Sequence, residues 1–136
     1  MRRGITTEWS IDLEADYRSR IVDRSLQFVV PGRTIFLAVW SPKEDPRAIM
    51  DSIKREALEA QERVAGPIER FEEADPDELR YASWYSEPGR SGIQHALTGY
   101  TVRKGSYVQS TFISDSPNDL PWALTTWRSL RYTALA

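Results

Sequence analysis

The sequence lacks cysteine and contains a single histidine, His95, among its 136 residues. The absence of cysteine excludes disulfides, thiol catalysis, iron–sulfur clusters and every zinc site that uses thiolate ligands. Glycine-rich phosphate-binding loops and the G-x-S-x-G nucleophile motif are also missing. The sequence therefore predicts no cofactor, no metal and no recognisable catalytic centre.

An excess of charge of one sign is missing too, since 18 Lys and Arg face 20 Asp and Glu, a net charge of −2. A polyanion needs a basic surface, so a dedicated nucleic-acid binder is disfavoured. The longest strongly apolar run, residues 35–40, has six residues, whereas a membrane helix needs about 18. No apolar stretch follows Arg2 and Arg3 to make a signal peptide. We expect a soluble, cytoplasmic protein that binds neither nucleic acid nor membrane.

Alternation of apolar and polar residues predicts the first strands. Residues 8–16 alternate cleanly, which is typical of a half-buried strand. Residues 24–40 predict a hairpin that turns at residues 31–32 and places Val30 opposite Arg33. Both faces of this hairpin are largely apolar, which indicates strands in the middle of a sheet covered on both sides.

A meander is predicted over residues 68–113. Its first turn falls at residues 74–78, where Asp-Pro-Asp chemistry favours a turn. Its second turn falls at residues 104–105 and pairs Arg103 with Ser106. Both faces of these strands again carry apolar side chains.

Two helices are predicted, over residues 45–65 and 117–132. Asp45 is placed to cap the first, with Pro46 at its first position, and Ser116 is placed to cap the second. Each has an apolar stripe at helical spacing: Ile49, Ile53, Ala57, Ala60 and Val64 in the first; Leu120, Ala123, Leu124, Trp127 and Leu130 in the second.

These elements give the order β-ββ-α-ββββ-α. Residues 1–136 contain no repeat or Gly/Ser linker, which predicts a single domain. Runs of strands joined by short turns favour an α+β fold: one antiparallel sheet of about six strands with two main helices, arranged like an α/β/α sandwich. The apolar faces indicate one helix on each side, or both helices on one side and a dimer partner on the other.

The chain resembles the PsbP-like fold, which includes photosystem II extrinsic proteins, Mog-type Ran-binding proteins and bacterial effector-associated chaperones. The resemblance lies in residues 9–13, which open the domain, in the hairpin that ends with residues 35–40, and in the mid-chain helix. It continues through residues 107–112 into residues 120–130. It implies an α/β/α sandwich and a non-catalytic binding or assembly module, and it carries no functional residue over to this chain.

Few residues are candidates for chemistry. His95 alternates with apolar neighbours, which is typical of a packed histidine, and a general base is the alternative. Asp12, Glu14 and Asp16 have calcium-loop spacing, but Tyr17 stands where that loop requires glycine. The solvated side of a strand explains the same carboxylates.

Aromatic residues are the remaining candidates, because they anchor protein interfaces as well as cores. We consider five of them for an interface: Trp40, Trp84, Tyr100, Tyr107 and Trp122. Packing into the core is the alternative for each, and Trp122, which lies off the apolar stripe of its helix, is expected either to cap the core or to face a partner.

The favoured hypothesis is a non-catalytic, non-enzymatic module that recognises a protein partner through a sheet or aromatic surface, with a homodimer as one form of it. The first alternative is a small-molecule-binding protein or enzyme whose pocket lies between the sheet and a helix. His95, Tyr100 or an acidic residue would then supply the polar contact. The second alternative, a secretion-effector chaperone or immunity protein, is a special case of the favoured hypothesis.

Overall fold

The computed structural model describes residues 1–134. Along this part of the chain the strands are β1 (Arg2–Gly4), β2 (Trp9–Asp12), β3 (Arg18–Val22), β4 (Ser25–Val30), β5 (Arg33–Trp40), β6 (Glu69–Asp75), β7 (Glu78–Gly89), β8 (Gly92–Arg103), β9 (Ser106–Ser114) and β10 (Arg131–Tyr132). The helices are α1 (Pro46–Gln61) and α2 (Leu120–Arg128), and a 3₁₀ turn, Pro117–Asp119, leads into α2.

The strands form two antiparallel sheets. One has seven strands in the order β3-β4-β5-β9-β8-β7-β6, and the other has three in the order β1-β2-β10. The prediction of a single sheet of about six strands in an α/β/α sandwich is therefore wrong, although the α+β class is consistent with the structure. The error arises at the first strand: Ser10 pairs with Gly4 and Arg131, so β2 joins the two ends of the described chain instead of the hairpin.

Both predicted hairpin registers are confirmed. Val30 pairs with Arg33, and Arg103 pairs with Ser106. The residue that makes each turn possible is a glycine, Gly32 or Gly105, with φ of +81°. Residues with a Cβ rarely adopt this backbone conformation, so the glycine fixes the position of the turn and, with it, the register of the hairpin.

The helices begin as predicted but end early. The Asp45 carboxylate accepts from the Arg47 backbone N–H, and the Ser116 hydroxyl accepts from that of Asn118. The first helix ends at Gln61, and the second at Arg128. Beyond Arg128 the chain becomes β10, because pairing with β2 replaces further helical hydrogen bonds.

The two faces of the large sheet are covered unequally. The face toward α2 and the small sheet buries the larger core, whose fully buried side chains include Trp9, Trp127, Phe28, Phe112, Ile11 and Ile35. On the opposite face, α1 buries only Ile49, Met50 and Ile53 against Tyr81 and Val102. Since α1 packs mainly on β7 and β8, β4 and β5 have no covering layer on that face within residues 1–134, whereas Tyr107 of β9 packs against the core under α1.

Candidate functional site

The uncovered part of the large sheet is the first candidate site. We call it the open sheet face: the α1-side surface of β4, β5 and β9. None of its apolar side chains is fully buried, and Trp40 is 51% exposed. The six apolar members are Val29, Phe36, Ala38, Trp40, Tyr107 and Ile113.

Strand pairing holds these side chains side by side. Trp40 pairs with Tyr107 across β5 and β9, and their rings stack at a centroid distance of 6.5 Å with an interplanar angle of 24°. At the other end of the same strands, Thr34 pairs with Ile113 and Val29. Residues paired in this way point to the same face of a sheet, so the open sheet face runs from Trp40 to Ile113, with Gln109 and Thr111 between Tyr107 and Ile113 on β9.

The open sheet face has a basic rim on one side. Arg18 and Arg20 of the edge strand β3 pair with Val29 and Gln27, which places both arginines on the same face. Both are exposed. An apolar surface with this rim favours a ligand that is apolar in the centre and acidic at one side.

The tip of the β7–β8 hairpin bounds the other side. The strand β9 ends at Ser114, which pairs with His95, so residues 88–94 extend beyond it. Between this tip and the open sheet face lies a groove of about 1010 Å³, whose lining includes Arg20, Phe36 and Ile113.

A second, separate recess lies under the C-terminal end of α1. It has a volume of about 640 Å³, and its lining includes Ala57, Ala60, Tyr85, Ile93, Thr98 and Tyr100. The hydroxyls of Tyr85 and Thr98 are 3.1 Å apart and hydrogen bonded. Burial, more than any neighbouring charge, raises the pKa of Tyr100.

The five aromatic candidates separate into three places. Trp40 and Tyr107 lie on the open sheet face, where Tyr107 also packs against the core under α1, and Tyr100 lines the recess under α1. Trp84 is 9% exposed and belongs to the larger core. Trp122 packs edge-on against Phe112 of that core, at a centroid distance of 6.1 Å.

The contacts of Trp122 show how it caps the core. Its indole N–H donates to the Tyr17 hydroxyl at 3.2 Å, and the Arg33 guanidinium lies 4.6 Å from its ring centroid. The Tyr17 hydroxyl in turn donates to Glu14. Burial and this carboxylate raise the pKa of Tyr17, so Tyr17 stays protonated and joins β5, α2 and the loop before β3.

His95 and the carboxylates contact other parts of the fold. The imidazole of His95 stacks on Trp84 at a centroid distance of 6.0 Å, half-buried on the α2 side of the sheet. Glu14 also accepts from Arg33 at 3.2 Å. Within residues 1–134, no three His, Asp or Glu side chains are grouped so that they could hold a metal ion. No helix in the same residues is long and apolar enough to span a bilayer.

Sequence reasoning did not single out four of the six apolar members of the candidate site: Val29, Phe36, Ala38 and Ile113. Alternation identified the second apolar face of the hairpin, and within the described residues α1 lies over β7 and β8 and not over this face. The alternation therefore identified these side chains, and the position of α1 determines that they are left uncovered.

The comparisons with known proteins concern the fold alone. No protein-family model matches the chain, and no curated protein is significantly similar in sequence. The chain is similar in structure to a protein from Bacteroides thetaiotaomicron VPI-5482, whose crystal structure was solved at 1.50 Å, with a TM-score of 0.68 and 11% sequence identity. The match covers 93% of this chain and 45% of that one, so the chain spans less than half the length of that protein.

Proposed function

We propose that the chain is a non-catalytic protein-binding module and that the open sheet face is its binding surface. The observation that carries this proposal is the contrast between the two faces of the same strands. On β5, Ile35 and Leu37 are at most 1% exposed on one face, whereas Trp40 on the other face is 51% exposed. Soluble monomers rarely leave a continuous apolar surface open unless it binds something.

The surface has the composition of an interaction site. Trp40, Tyr107 and Phe36 are aromatic, and aromatic side chains dominate the energetically important residues of protein interfaces. Val29 and Ile113 extend the apolar area toward the hairpin tip. Burying such side chains in a complex stabilises it by roughly 25 cal/mol per Å² of apolar area, before the cost of association.

The width of the open sheet face fits one helix of a partner. Neighbouring strands lie about 4.8 Å apart, so β4, β5 and β9 together span about 10 Å, close to the diameter of a helix with its side chains. The partner helix would lie beside α1 and complete the layer that α1 begins. Acidic residues on the flank of that helix would face Arg18 and Arg20.

Other features agree with a binding role. His95 is stacked against Trp84, and the Glu14 carboxylate is engaged by Tyr17 and Arg33. The resemblance to PsbP-like and Mog-type domains implies the same kind of role, but no comparison links the chain to that family, so it stays a prediction. A secretion-effector chaperone or immunity protein would be a special case of this proposal.

Site-specific photo-crosslinking tests it. A photoreactive benzoylphenylalanine replaces Phe36 on the open sheet face in one variant and the exposed Glu59 of α1 in another. The expected result is a crosslinked protein at position 36 and not at position 59, with the attached peptide in a helix that carries acidic residues. Crosslinking at neither position, or equally at both, would contradict the proposal.

A further inference from the structure

The recess under the C-terminal end of α1 is separate from the open sheet face and has its own chemistry. Its volume of about 640 Å³ lies within the range of about 300 to 1,000 Å³ that is typical of small-molecule sites. On the α1 side the recess is lined by small side chains, those of the half-buried Ala57 and the exposed Ala60. At its other end α1 presents Ile49 and Ile53, which fill the same interval between helix and sheet.

The floor of the recess offers hydroxyl protons that the protein does not use. Tyr85 and Thr98 share one hydrogen bond of 3.1 Å, in which one hydroxyl donates and the other keeps its own proton. The Tyr100 hydroxyl has no hydrogen-bond partner among the side chains and backbone of residues 1–134. Two hydroxyl protons are therefore free to be donated to a bound molecule.

Two polar groups at the edge of the recess are already occupied. The amide oxygen of Gln61 accepts from Arg70 at 2.9 Å, and the Glu87 carboxylate accepts from Gln94 at 2.9 Å. Burial raises the pKa of Tyr100, which keeps it a neutral donor at physiological pH. The walls include the apolar side chains of Val64 and Ile93. Arg63 also lines the recess but is exposed to solvent. The buried part of the recess therefore favours an uncharged ligand with one acceptor group.

We propose that this recess binds a neutral, largely apolar small molecule that bears a carbonyl or similar acceptor, with Tyr100 and the Tyr85–Thr98 pair as the donors. The site is independent of the protein-binding surface, because its lining shares no residue with the six apolar members of the open sheet face. Ile93, 63% exposed on the hairpin tip, lies at the border of both and covers one side of the ligand.

Fluorescence titration with prodan, a neutral naphthyl ketone whose emission shifts to the blue in apolar surroundings, tests the site. The wild-type chain is expected to bind prodan saturably at one site. Ala60→Trp fills the recess and is expected to weaken binding at least tenfold, whereas Glu59→Trp, the neighbouring exposed position, leaves binding unchanged. Thermal unfolding of each variant shows that it is folded, and Ala57→Leu replaces Ala60→Trp if the latter does not fold.

Tyr100→Phe separates donation of a hydrogen bond from filling of space. One neutral hydrogen bond corresponds to about a fivefold change in affinity. We expect Tyr100→Phe to weaken the affinity for prodan by about that factor. The affinity for naphthalene, which has no acceptor, is expected to stay unchanged when it is measured by displacement of prodan. Equal weakening of both probes would overturn the proposal.

A further variant separates the recess from the open sheet face. Phe36→Asp alters the open sheet face and is expected to leave prodan binding unchanged. Loss of prodan binding in Phe36→Asp together with full binding in Ala60→Trp would overturn the proposal and place the dye on the sheet. Because Phe36 is the residue tested for protein binding and Tyr100 is not, failure of one proposal is distinguishable from failure of the other.

Discussion

Gly99 of β8 lies so close to the Trp127 indole of α2 that a Cβ on Gly99 would stand 2.6 Å from the indole nitrogen. Trp127 is fully buried in the larger core. The absence of a side chain at Gly99 is therefore what allows α2 to approach the centre of the sheet. This contact packs α2 against the sheet on the side opposite the open sheet face.

Gly99→Ala is expected to lower the free energy of unfolding by about 3 kcal/mol, the upper range for overpacking of a core. Chemical denaturation monitored by tryptophan fluorescence measures it. Gly66→Ala is the control, because the nearest atom to an added Cβ there, the Ser86 hydroxyl oxygen, is 3.6 Å away. A loss at Gly99 no larger than at Gly66 would contradict the packing described here.

A second prediction concerns Arg33 and Asp119, which join β5 to the 3₁₀ turn before α2. Arg33 donates to both carboxylate oxygens at 3.0 and 2.9 Å, and the Ser114 hydroxyl also donates to Asp119 at 2.5 Å. The hydrogen bonds from Arg33, and then that from Ser114, hold the pKa of Asp119 below its ordinary value of 3.8.

A carboxyl with a lowered folded pKa stabilises the fold fully above its unfolded pKa, and this stabilisation is lost as pH falls through the folded pKa. We therefore expect Asp119→Asn to lower the free energy of unfolding by about 1 to 2 kcal/mol at pH 7. Between pH 5 and pH 2, the stability of this variant is expected to fall by less than that of the wild type. Urea unfolding at a series of pH values measures both. Parallel pH profiles for the two proteins would show that the pair does not act in this way.

The hairpins were predictable from local turn chemistry, whereas the pairing of strands that are distant in the sequence was not. Gly32 and Gly105 fixed their turns within a few residues, so both registers were right. The strand β3 reads Arg-Ser-Arg-Ile-Val and gives no alternation of apolar and polar residues to detect. The split into two sheets depends on Ser10 meeting Arg131, a pairing that no local pattern encodes.

The candidate site was predictable only in part, for a related reason. Alternation identifies which side chains share a face, but not which face a helix covers. Trp40 and Trp84 both lie on strands with apolar residues on each side, yet one is half exposed and the other is buried. Trp84 is on the α2 side and is buried by the larger core, whereas Trp40 is on the α1 side, beyond the strands that α1 covers. Only the tertiary structure gives these two locations.

A third prediction tests the start of α1, the helix that forms one border of both candidate sites. The Asp45 carboxylate accepts from the Arg47 backbone N–H at 3.0 Å. Asp45→Ala is expected to lower the free energy of unfolding by about 1 kcal/mol, as for other N-cap residues. Asp51→Ala, an exposed mid-helix position, is expected to change it by less than about 0.5 kcal/mol. Equal effects at both positions would contradict the capping role.

The most direct measurement of the central claim is the amount of crosslink-identified partner retained by Phe36→Asp and by Ile21→Asp, compared with wild type. Both changes replace an apolar side chain with an acid, but Ile21, 79% exposed on the edge strand β3, points to the opposite face. If the open sheet face binds the partner, Phe36→Asp retains at least tenfold less of it, and Ile21→Asp retains as much as wild type, with both variants folded. Equal retention by the two variants, or a greater loss with Ile21→Asp, would contradict the assignment of binding to the open sheet face.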